Sequence, residues 1–322
     1  MPTRLFFRLL AAALLVLTQP ATAQPFPAKP LRLVVAFVPG GGDDYHGRVL
    51  AQKLAEILGQ QVVVDNRAGA GGLVGWEHVA KSPPDGYTIL LSGGGLAAIK
   101  SLRPNAPVDP IRDFVWVSMV ANYPLVLLVH PSVQAQNLRE LIALAKAKPG
   151  QLNYGSSGVG ATPHLAAEYF KSTANLDIVH VPYKGSTPVY ADLMAGLVSI
   201  YFAVPASGVP YVKSGKLRAI AVTSTKRASL LPTVPTMAEA GLAGYDISSF
   251  YALLVPAGTP REIVNRLAEA TAKAVASPDL REKIVNAGSE PVSSTPEELL
   301  QIVKESAAKF DRIIKAANIK PE

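Results

Sequence analysis

The stretch that decides the fold is residues 31–44, LRLVVAFVPGGGDD, in which a run of apolar residues ends at a proline, three glycines and two acids. The run has the composition of a buried strand. The residues that follow place Leu50, Leu54 and Leu58 at helical spacing. The stretch therefore predicts a strand, a glycine loop and an amphipathic helix in direct succession.

The same pattern continues downstream of this first unit. Strands are predicted over residues 61–65 and 88–92, with a helix over residues 73–81 between them, and both strands run into further glycines. Short apolar strands that alternate with helices of this length indicate parallel βαβ units with helices on both faces of a sheet. The chain is therefore predicted to be an α/β protein.

The order of elements restarts in the middle of the chain. Residues 152–160, LNYGSSGVG, again lead from a short strand into glycines and serines, and a helix follows. A second strand, over residues 178–182, ends at Tyr183 and Lys184. About 300 mature residues exceed what one hydrophobic core usually serves, so two units of one plan indicate two lobes.

Two long apolar stretches, residues 124–130 and 250–256, lie at the edges of the second unit. They are predicted to be the strands that cross between the lobes. The first lobe is then predicted to hold residues 24–127 and 251–322, and the second lobe residues 128–250.

The C-terminal part is predicted to return to the first lobe as two helices with clear beginnings. Thr259 to Glu262 and Thr295 to Glu298 both fit a capping box with proline at the first helical position.

Residues 1–23 have the parts of a secretory signal peptide. Arg4 and Arg8 precede an apolar run, and Ala21 and Ala23 form a small-residue cleavage site. The apolar run is too short to cross a bilayer, which needs about 20 residues in a helix. Cleavage after Ala23 and a periplasmic location of the mature chain are therefore predicted.

Composition excludes several classes of function. The chain has no cysteine, which excludes disulfides, thiolate metal sites and a cysteine nucleophile. Removal of the signal peptide leaves 29 basic and 24 acidic residues, a charge of +5. The basic residues form no run and do not alternate with aromatic residues, so the chain is not expected to bind nucleic acid, and the mild positive charge suits small anions.

The glycine loops are the candidate binding elements. A glycine turn lets backbone N–H groups approach a ligand, and the helix that follows adds unpaired donors and a partial positive charge. The loops at residues 40–44 and 156–162 lie in different lobes, so an anion held between them would close a two-lobed clamp. Ser156 and Ser157 are predicted hydroxyl donors, and Phe37 is a candidate wall of the pocket. The alternative that the glycines only make tight turns stays open.

Other chemistries fit the spacing poorly. A dinucleotide motif would need a glycine where Val74 or Pro163 stands. A serine hydrolase motif centred on Ser157 would need a glycine where Val159 stands, and the five histidines show no metal-ligand spacing. No catalytic residue, metal or cofactor is predicted. A hydrolase that uses Ser157 is kept as an alternative.

Motifs of a known family run through the whole mature chain. They are PLRLVV (30–35), PGGGDD (39–44), VDNRAGAGG (64–72), PDGYT (84–88), KPGQLNYGSSG (148–158), HL (164–165), VPYKG (181–185), GKLRA (215–219) and LVPAGTP (254–260). On these motifs the chain resembles the Bug (TctC-like) family, the extracytoplasmic solute receptors of tripartite tricarboxylate transporters.

The resemblance implies a type II periplasmic-binding fold, an α/β architecture with two lobes joined by two crossover strands. It implies a small organic carboxylate as ligand, such as a di- or tricarboxylate or an aromatic acid, and the membrane subunits of a tripartite transporter as partners of a monomeric receptor. A sensor that presents its bound state to a signalling partner is the alternative. The predicted ligand-binding residues are Phe37, Gly40, Gly41, Gly42, Asp43, Asp44, Ser92, Ser156, Ser157, Gly158, Thr162, His164, Tyr183, Lys184 and Ala203.

Two of these positions depart from the pattern of the family. Asp43 stands where the family usually has threonine or serine, so it either caps its helix and points away or meets a ligand with an N–H or cationic group. Ala203 stands where an acidic or amide residue is common. An apolar ring is therefore expected near Ala203 rather than an α-amino group.

Overall fold

The computed structural model describes residues 26–320. The predicted signal peptide, residues 1–23, lies outside the described residues. Between these limits no helix combines the length and the apolar character that a membrane span requires.

The described residues form eleven strands and eleven α-helices, which alternate along most of the chain. The strands are β1 (Leu31–Val35), β2 (Val62–Asn66), β3 (Thr88–Gly93), β4 (Phe114–Pro124), β5 (Val126–Val129), β6 (Asn153–Ser156), β7 (Val179–Pro182), β8 (Ile200–Ala203), β9 (Arg218–Val222), β10 (Ser248–Pro256) and β11 (Glu290–Pro291). The α-helices are α1 (Gly42–Leu58), α2 (Leu73–Ala80), α3 (Gly94–Ala97), α4 (Ile99–Leu102), α5 (Leu138–Ala147), α6 (Thr162–Ala174), α7 (Ser186–Met194), α8 (Pro205–Lys213), α9 (Arg261–Ala276), α10 (Pro278–Asn286) and α11 (Pro296–Ala316).

The first sheet has the strand order β11-β4-β10-β3-β1-β2. Strand β1 pairs in parallel with β2 and β3, whereas β10 is antiparallel to both β3 and β4. The predicted parallel βαβ units are therefore present, within a mixed sheet. Leu33 and Val34 point to opposite faces of β1 and are both fully buried, so both faces of the sheet are covered.

The second sheet has the order β7-β6-β8-β5-β9. Strand β6 is parallel to β7 and β8, and β5 is antiparallel to β8 and β9. The orders β2-β1-β3 and β7-β6-β8 follow one plan, with the first strand of each unit in the middle. The two predicted lobes of similar plan are confirmed, and we call the parts of the chain built on the two sheets the first and second lobe.

The chain crosses between the sheets twice. Strand β4 ends in the first sheet at Pro124, and β5 begins in the second sheet at Val126. The return precedes β10, because β10 begins at Ser248 and lies in the first sheet throughout. The second crossing therefore comes before residues 250–256. The sequence predicts it within these residues, and that position is wrong. The lobe boundaries at 127/128 and 250/251 stay predictions.

Thr223 ties the two crossings together. Its backbone N–H donates to the carbonyl of Leu125 at 2.9 Å, and the N–H of Ile247 donates to the carbonyl of Thr223 at 3.0 Å. The Thr223 hydroxyl is fully buried and accepts from the N–H of Leu125 at 2.8 Å. Thr223 thus makes hydrogen bonds to both crossings between the lobes. We call the two crossings together with Thr223 the hinge.

The two predicted capping boxes have different outcomes. Thr295 begins α11 with the predicted box, because its hydroxyl accepts from the N–H of Glu298 and the Glu298 carboxylate accepts from the N–H of Thr295. The prediction of a capping box at Thr259 is wrong. Helix α9 begins after Pro260, and the Thr259 hydroxyl instead donates to the carbonyl of Pro256 at 2.8 Å and closes the preceding turn. Helix α10 was not predicted from the sequence.

Candidate functional site

A cavity lies between the two lobes and is lined by residues of both. Its volume is about 20 Å³, which is room for one or two water molecules. The first lobe contributes Phe37, Asp43, Trp76, Ser92, Gly93, Gly94, Gly95 and Tyr123, and the second lobe contributes Ser157, Ala161, Thr162, Pro163, Ser186 and Val204. The structure therefore brings both glycine loops of the sequence analysis to one place.

Four helices of at least nine residues begin at this cavity. Helix α1 places Asp43 there in its first turn, α6 begins with Thr162, α7 begins with Ser186, and α8 follows Val204. In the part of the chain that the structure describes, the N-cap residue of each of them makes no side-chain hydrogen bond to its helix. Each helix start carries a partial positive charge of about half a unit. The arrangement favours a negatively charged ligand without a cationic side chain.

Hydroxyl groups and one indole add donors to the lining. Ser186 accepts a hydrogen bond from the Tyr201 hydroxyl at 2.8 Å, which leaves its own O–H to donate. Trp76 is only 1% exposed, and its indole N–H has no hydrogen-bond partner within residues 26–320. A buried donor without a partner is unusual, and a ligand oxygen in the cavity would satisfy it.

Asp43 faces the cavity rather than capping its helix. The N-cap position belongs to Gly41, and the Asp43 side chain, half-buried, is part of the cavity lining. Burial raises the pKa of Asp43 to about 7; its own backbone N–H lowers that pKa, and the neighbouring Asp44 charge raises it. Of the two alternatives that the sequence left open for Asp43, the position of its side chain excludes the first.

Asp44 holds the first glycine loop in shape. Its carboxylate accepts hydrogen bonds from the N–H of Gly40 at 3.0 Å, from Arg48 at 2.9 Å and from Asn66 at 3.0 Å. Burial alone would raise the pKa of Asp44, but these hydrogen bonds bring it below its ordinary value. The Gly40 N–H, which the sequence assigns to the ligand, is thus already bound within the loop.

Ser156 and His164 support the second glycine loop from behind. The Ser156 hydroxyl lies 2.7 Å from Nε2 of His180 and accepts from the N–H of Gly158 at 3.3 Å. Nδ1 of His164 accepts from the N–H of Gly160 at 3.2 Å, and burial lowers the pKa of His164 to about 3. Neither side chain belongs to the cavity lining. Both are buried and position the loop that carries Ser157.

Three further predicted residues lie away from the cavity. The Tyr183 hydroxyl donates to the Asp192 carboxylate at 2.5 Å, and Lys184 is exposed. Ala203 is fully buried, and its neighbour Val204 takes the place in the lining. The predicted residues that line the cavity are Phe37, Asp43, Ser92, Ser157 and Thr162. The ligand contacts of all fifteen residues stay predictions.

Gly71 and Gly158 lie where the two lobes touch each other and do not belong to the cavity lining. A Cβ added at Gly71, where φ is +69°, would lie 2.1 Å from the carbonyl oxygen of Val159 in the other lobe. Gly158 packs against Gly71 in the same contact. Across another part of the cleft, the Thr187 hydroxyl donates to the carbonyl of Pro39 at 2.8 Å. The lobes are therefore in contact, and the cleft is closed.

The sequence reasoning missed Trp76, Tyr123 and Ser186. Ser186 follows Gly185 where a strand and a glycine lead into α7, so the rule applied to the other two loops would have found it. Trp76 lies in the first turn of a predicted helix that follows the glycines at 69–72. This is a weaker form of the pattern in which a strand and glycines lead into a helix. Tyr123 lies near the end of β4, and no local pattern marks it.

The rival chemistries find little support in the site. Within residues 26–320, no group of three or more histidine, aspartate or glutamate side chains is arranged to hold a metal ion. Of the two serines in the second glycine loop, Ser156, which is fully buried, contacts a histidine in the described structure. A serine nucleophile must meet its substrate and its base together, and the observed pair is closed off from the cavity.

Comparison with known proteins gives one consistent result. The family model that matches residues 47–319 describes a tripartite tricarboxylate transporter family receptor. The protein BugT of Bordetella pertussis is 37% identical over 303 residues, which cover 94% of this chain and 93% of BugT. Among solved structures, the R. palustris protein Rpa4515 with adipate is 36% identical with a TM-score of 0.89, and the periplasmic binding protein BugD is 31% identical with a TM-score of 0.89. Each match covers 92% of this chain and 100% of the other chain.

Proposed function

Because this chain belongs to the tripartite tricarboxylate transporter receptor family, whose members are solute-binding receptors, we propose that it captures a small organic carboxylate between its lobes. It delivers the acid to the membrane subunits of a tripartite transporter. The observation that carries the proposal is the meeting of four uncapped helix starts, one from the first lobe and three from the second, at one cavity. The adipate bound to the related Rpa4515 protein supports this class of ligand.

Capture requires the lobes to separate first. A cavity of about 20 Å³ is much smaller than a dicarboxylate, and ligand pockets usually measure about 300–1,000 Å³. The contacts of Gly71 with Val159 and of Thr187 with Pro39 join the lobes across the cleft, and they re-form when the lobes close around the ligand. The hinge at Thr223 is the axis of this motion.

The receptor acts in the periplasm after its signal peptide is removed. Edman sequencing or mass spectrometry of the protein secreted into the periplasm should give Gln24 as the first residue, since cleavage follows Ala23. A mature chain that retains Arg4 and Arg8 would contradict this step.

Ligand capture is tested by thermal melting of the purified protein with a panel of acids that includes adipate, succinate, benzoate and citrate. An acid at about 100 times its dissociation constant should add about 2.7 kcal/mol of stability, which raises the melting temperature by about 5 °C. Neutral analogues such as adipamide serve as controls and should give no shift. The absence of a shift with every acid of the panel would refute carboxylate capture.

A further inference from the structure

Asp43 places an acid in a cavity that the proposed function assigns to an anion. The same cavity is lined from the other lobe by Ser157 and Ser186. Among the described residues, the lining contains no lysine, arginine or histidine. An ionised Asp43 and a bound carboxylate would therefore share one cavity with no cationic side chain to separate them.

The ionisable groups around Asp43 do not neutralise it either. On its own helix, Asp44 adds a second negative charge that is paired with Arg48, and His46 is neutral because burial lowers its pKa to about 4. The other ionisable groups near it are the hydroxyls of Tyr123 on β4, Tyr201 on β8 and Tyr251 on β10, and burial raises the pKa of each of them further. Within the cavity lining the positive potential comes from the helix starts, and a bound anion would already be stabilised by it.

A neutral Asp43 removes the conflict at little cost. With a pKa of about 7, about half of the molecules carry a protonated Asp43 at neutral pH, so the requirement for this form weakens binding only about twofold. A protonated carboxyl group has one O–H donor and keeps acceptor capacity. Hydrogen bonds from an O–H to a carboxylate are among the shortest and strongest in proteins.

We infer that Asp43 recognises the ligand as a neutral carboxyl group, which donates its O–H to a carboxylate oxygen of the ligand and so selects acids without an ammonium group at that end. The inference rests on the proposed function, because it concerns the same cavity. The proton comes from the solvent, so binding takes up a proton whenever Asp43 is ionised in the free protein. An amino acid would instead place its ammonium group beside an ionised Asp43, and binding would release a proton.

Calorimetry of adipate and 2-aminoadipate, which differ by one ammonium group, separates these two modes. Titrations at pH 8 in two buffers of different ionisation enthalpy give the number of protons exchanged. For adipate we expect an uptake of about 0.9 proton and an affinity that falls about fivefold from pH 7 to pH 8 and about ninefold from pH 8 to pH 9. Tighter binding of 2-aminoadipate with proton release would overturn the inference.

Asp43→Asn is the decisive variant, because the amide is neutral at every pH and keeps an N–H donor. It should take up no proton, bind adipate with an affinity independent of pH, and exceed the wild type about 100-fold at pH 9. Glu77→Gln is the matched control, since the Glu77 carboxylate pairs with Lys81 on the surface of α2 and should leave the proton uptake unchanged. Weaker adipate binding by Asp43→Asn at pH 9 would overturn the inference.

A ligand-free measurement separates failure of this inference from failure of the proposed function. Carbon-13 NMR titration of the aspartate carboxyl groups, with the signal missing in Asp43→Asn assigned to Asp43, should give a midpoint near 7. A midpoint at the ordinary value near 4 overturns the inference even if acids bind. A midpoint near 7 in a protein that binds none of the acids overturns the proposed function and the ligand recognition that rests on it.

Discussion

Replacement of Gly71 by alanine is expected to stop the lobes from closing on a ligand. A Cβ at this position would lie 2.1 Å from the carbonyl oxygen of Val159 in the second lobe. Ordinary contact begins at 3.4 Å, so the backbones must separate by the difference of about 1.3 Å. The obstacle is a main-chain carbonyl held by its loop, and no side-chain rotation relieves it.

The size of the effect follows from the hydrogen bonds that such a separation breaks. A ligand bond of ordinary length, about 2.9 Å, becomes longer than 4 Å and is lost. One hydrogen bond to a charged group contributes about 1.5–3 kcal/mol, so affinity should fall about 10- to 150-fold. Gly215→Ala is the matched control: its φ of +72° carries the same left-handed penalty, and no atom lies within 4 Å of its added Cβ.

The assay combines thermal melting without ligand and calorimetry with the acid that stabilises the wild type most. Both variants should lose about 1–2 kcal/mol of stability from the left-handed alanine, and only Gly71→Ala should lose affinity. Equal affinities of the two variants would refute the reasoning, because the contact between Gly71 and Val159 would then not belong to the ligand-bound arrangement.

Four further substitutions test contacts of the cavity, the cleft and the helix starts. Trp76→Phe keeps an aromatic side chain but removes the unpartnered N–H; calorimetry should show affinity reduced about tenfold, the melting temperature should fall because the smaller ring leaves a space in the core, and unchanged affinity would exclude a bond from the indole to the ligand. Thr187→Val removes the hydrogen bond to Pro39 and should lower affinity about threefold to tenfold in the same assay, with no loss of stability in the free open form. Thr295→Ala removes the cap of α11 and should cost about 1 kcal/mol in denaturant unfolding without a change in affinity. Asp43 has a pKa raised above its unfolded value, so the wild type loses stability as pH rises from about 4 to about 7; Asp43→Asn should therefore gain a few kcal/mol over the wild type across this range, and a difference that does not change with pH would contradict the burial of this group.

The elements that the sequence predicts well are those specified by neighbouring residues. The passage from β1 through the glycines into α1 depends on an apolar run, turn residues and helical spacing within 28 residues, Leu31 to Leu58, and all three are local. Strand β10 shows the limit. Its apolar sequence suits either sheet, and its place between β3 and β4 is decided by pairing with residues more than 100 positions away.

The two threonine motifs show that local sequence also has a limit in predicting where a helix begins. Thr259 and Thr295 have the same local pattern, yet only Thr295 caps its helix, because the N-cap position of α9 belongs to Pro260 and Thr259 lies in the turn before it, where its hydroxyl donates to the carbonyl of Pro256. The residue at which a helix begins depends on the path of the chain before it, which the motif does not contain.

The residues that line the cavity also divide into those that local sequence predicts and those that it does not. Asp43, Ser157 and Thr162 were predictable because a residue at the beginning of a helix that follows a strand lies at the same edge of the sheet as its neighbours. Tyr123 belongs to the lining only because β4 runs the length of the first sheet and ends at the hinge. Gly158 shows that a glycine loop has two interpretations. It has the sequence of a ligand loop but packs on Gly71, since a glycine gives close approach to any backbone, whether of a ligand or of the other lobe.

The distribution of the helix starts between the lobes links the charge of the ligand to closure. Helix α1 belongs to the first lobe, and α6, α7 and α8 belong to the second, so any separation of the lobes moves three of the four partial charges away from the cavity. An anion is therefore held best when the lobes meet, and it opposes their separation without a cationic side chain in either lobe. A neutral analogue of the same shape would gain no electrostatic stabilisation from the four helix starts. In the proposed receptor, selectivity for the charge of the ligand and stabilisation of the closed form would thus arise from the same backbone groups.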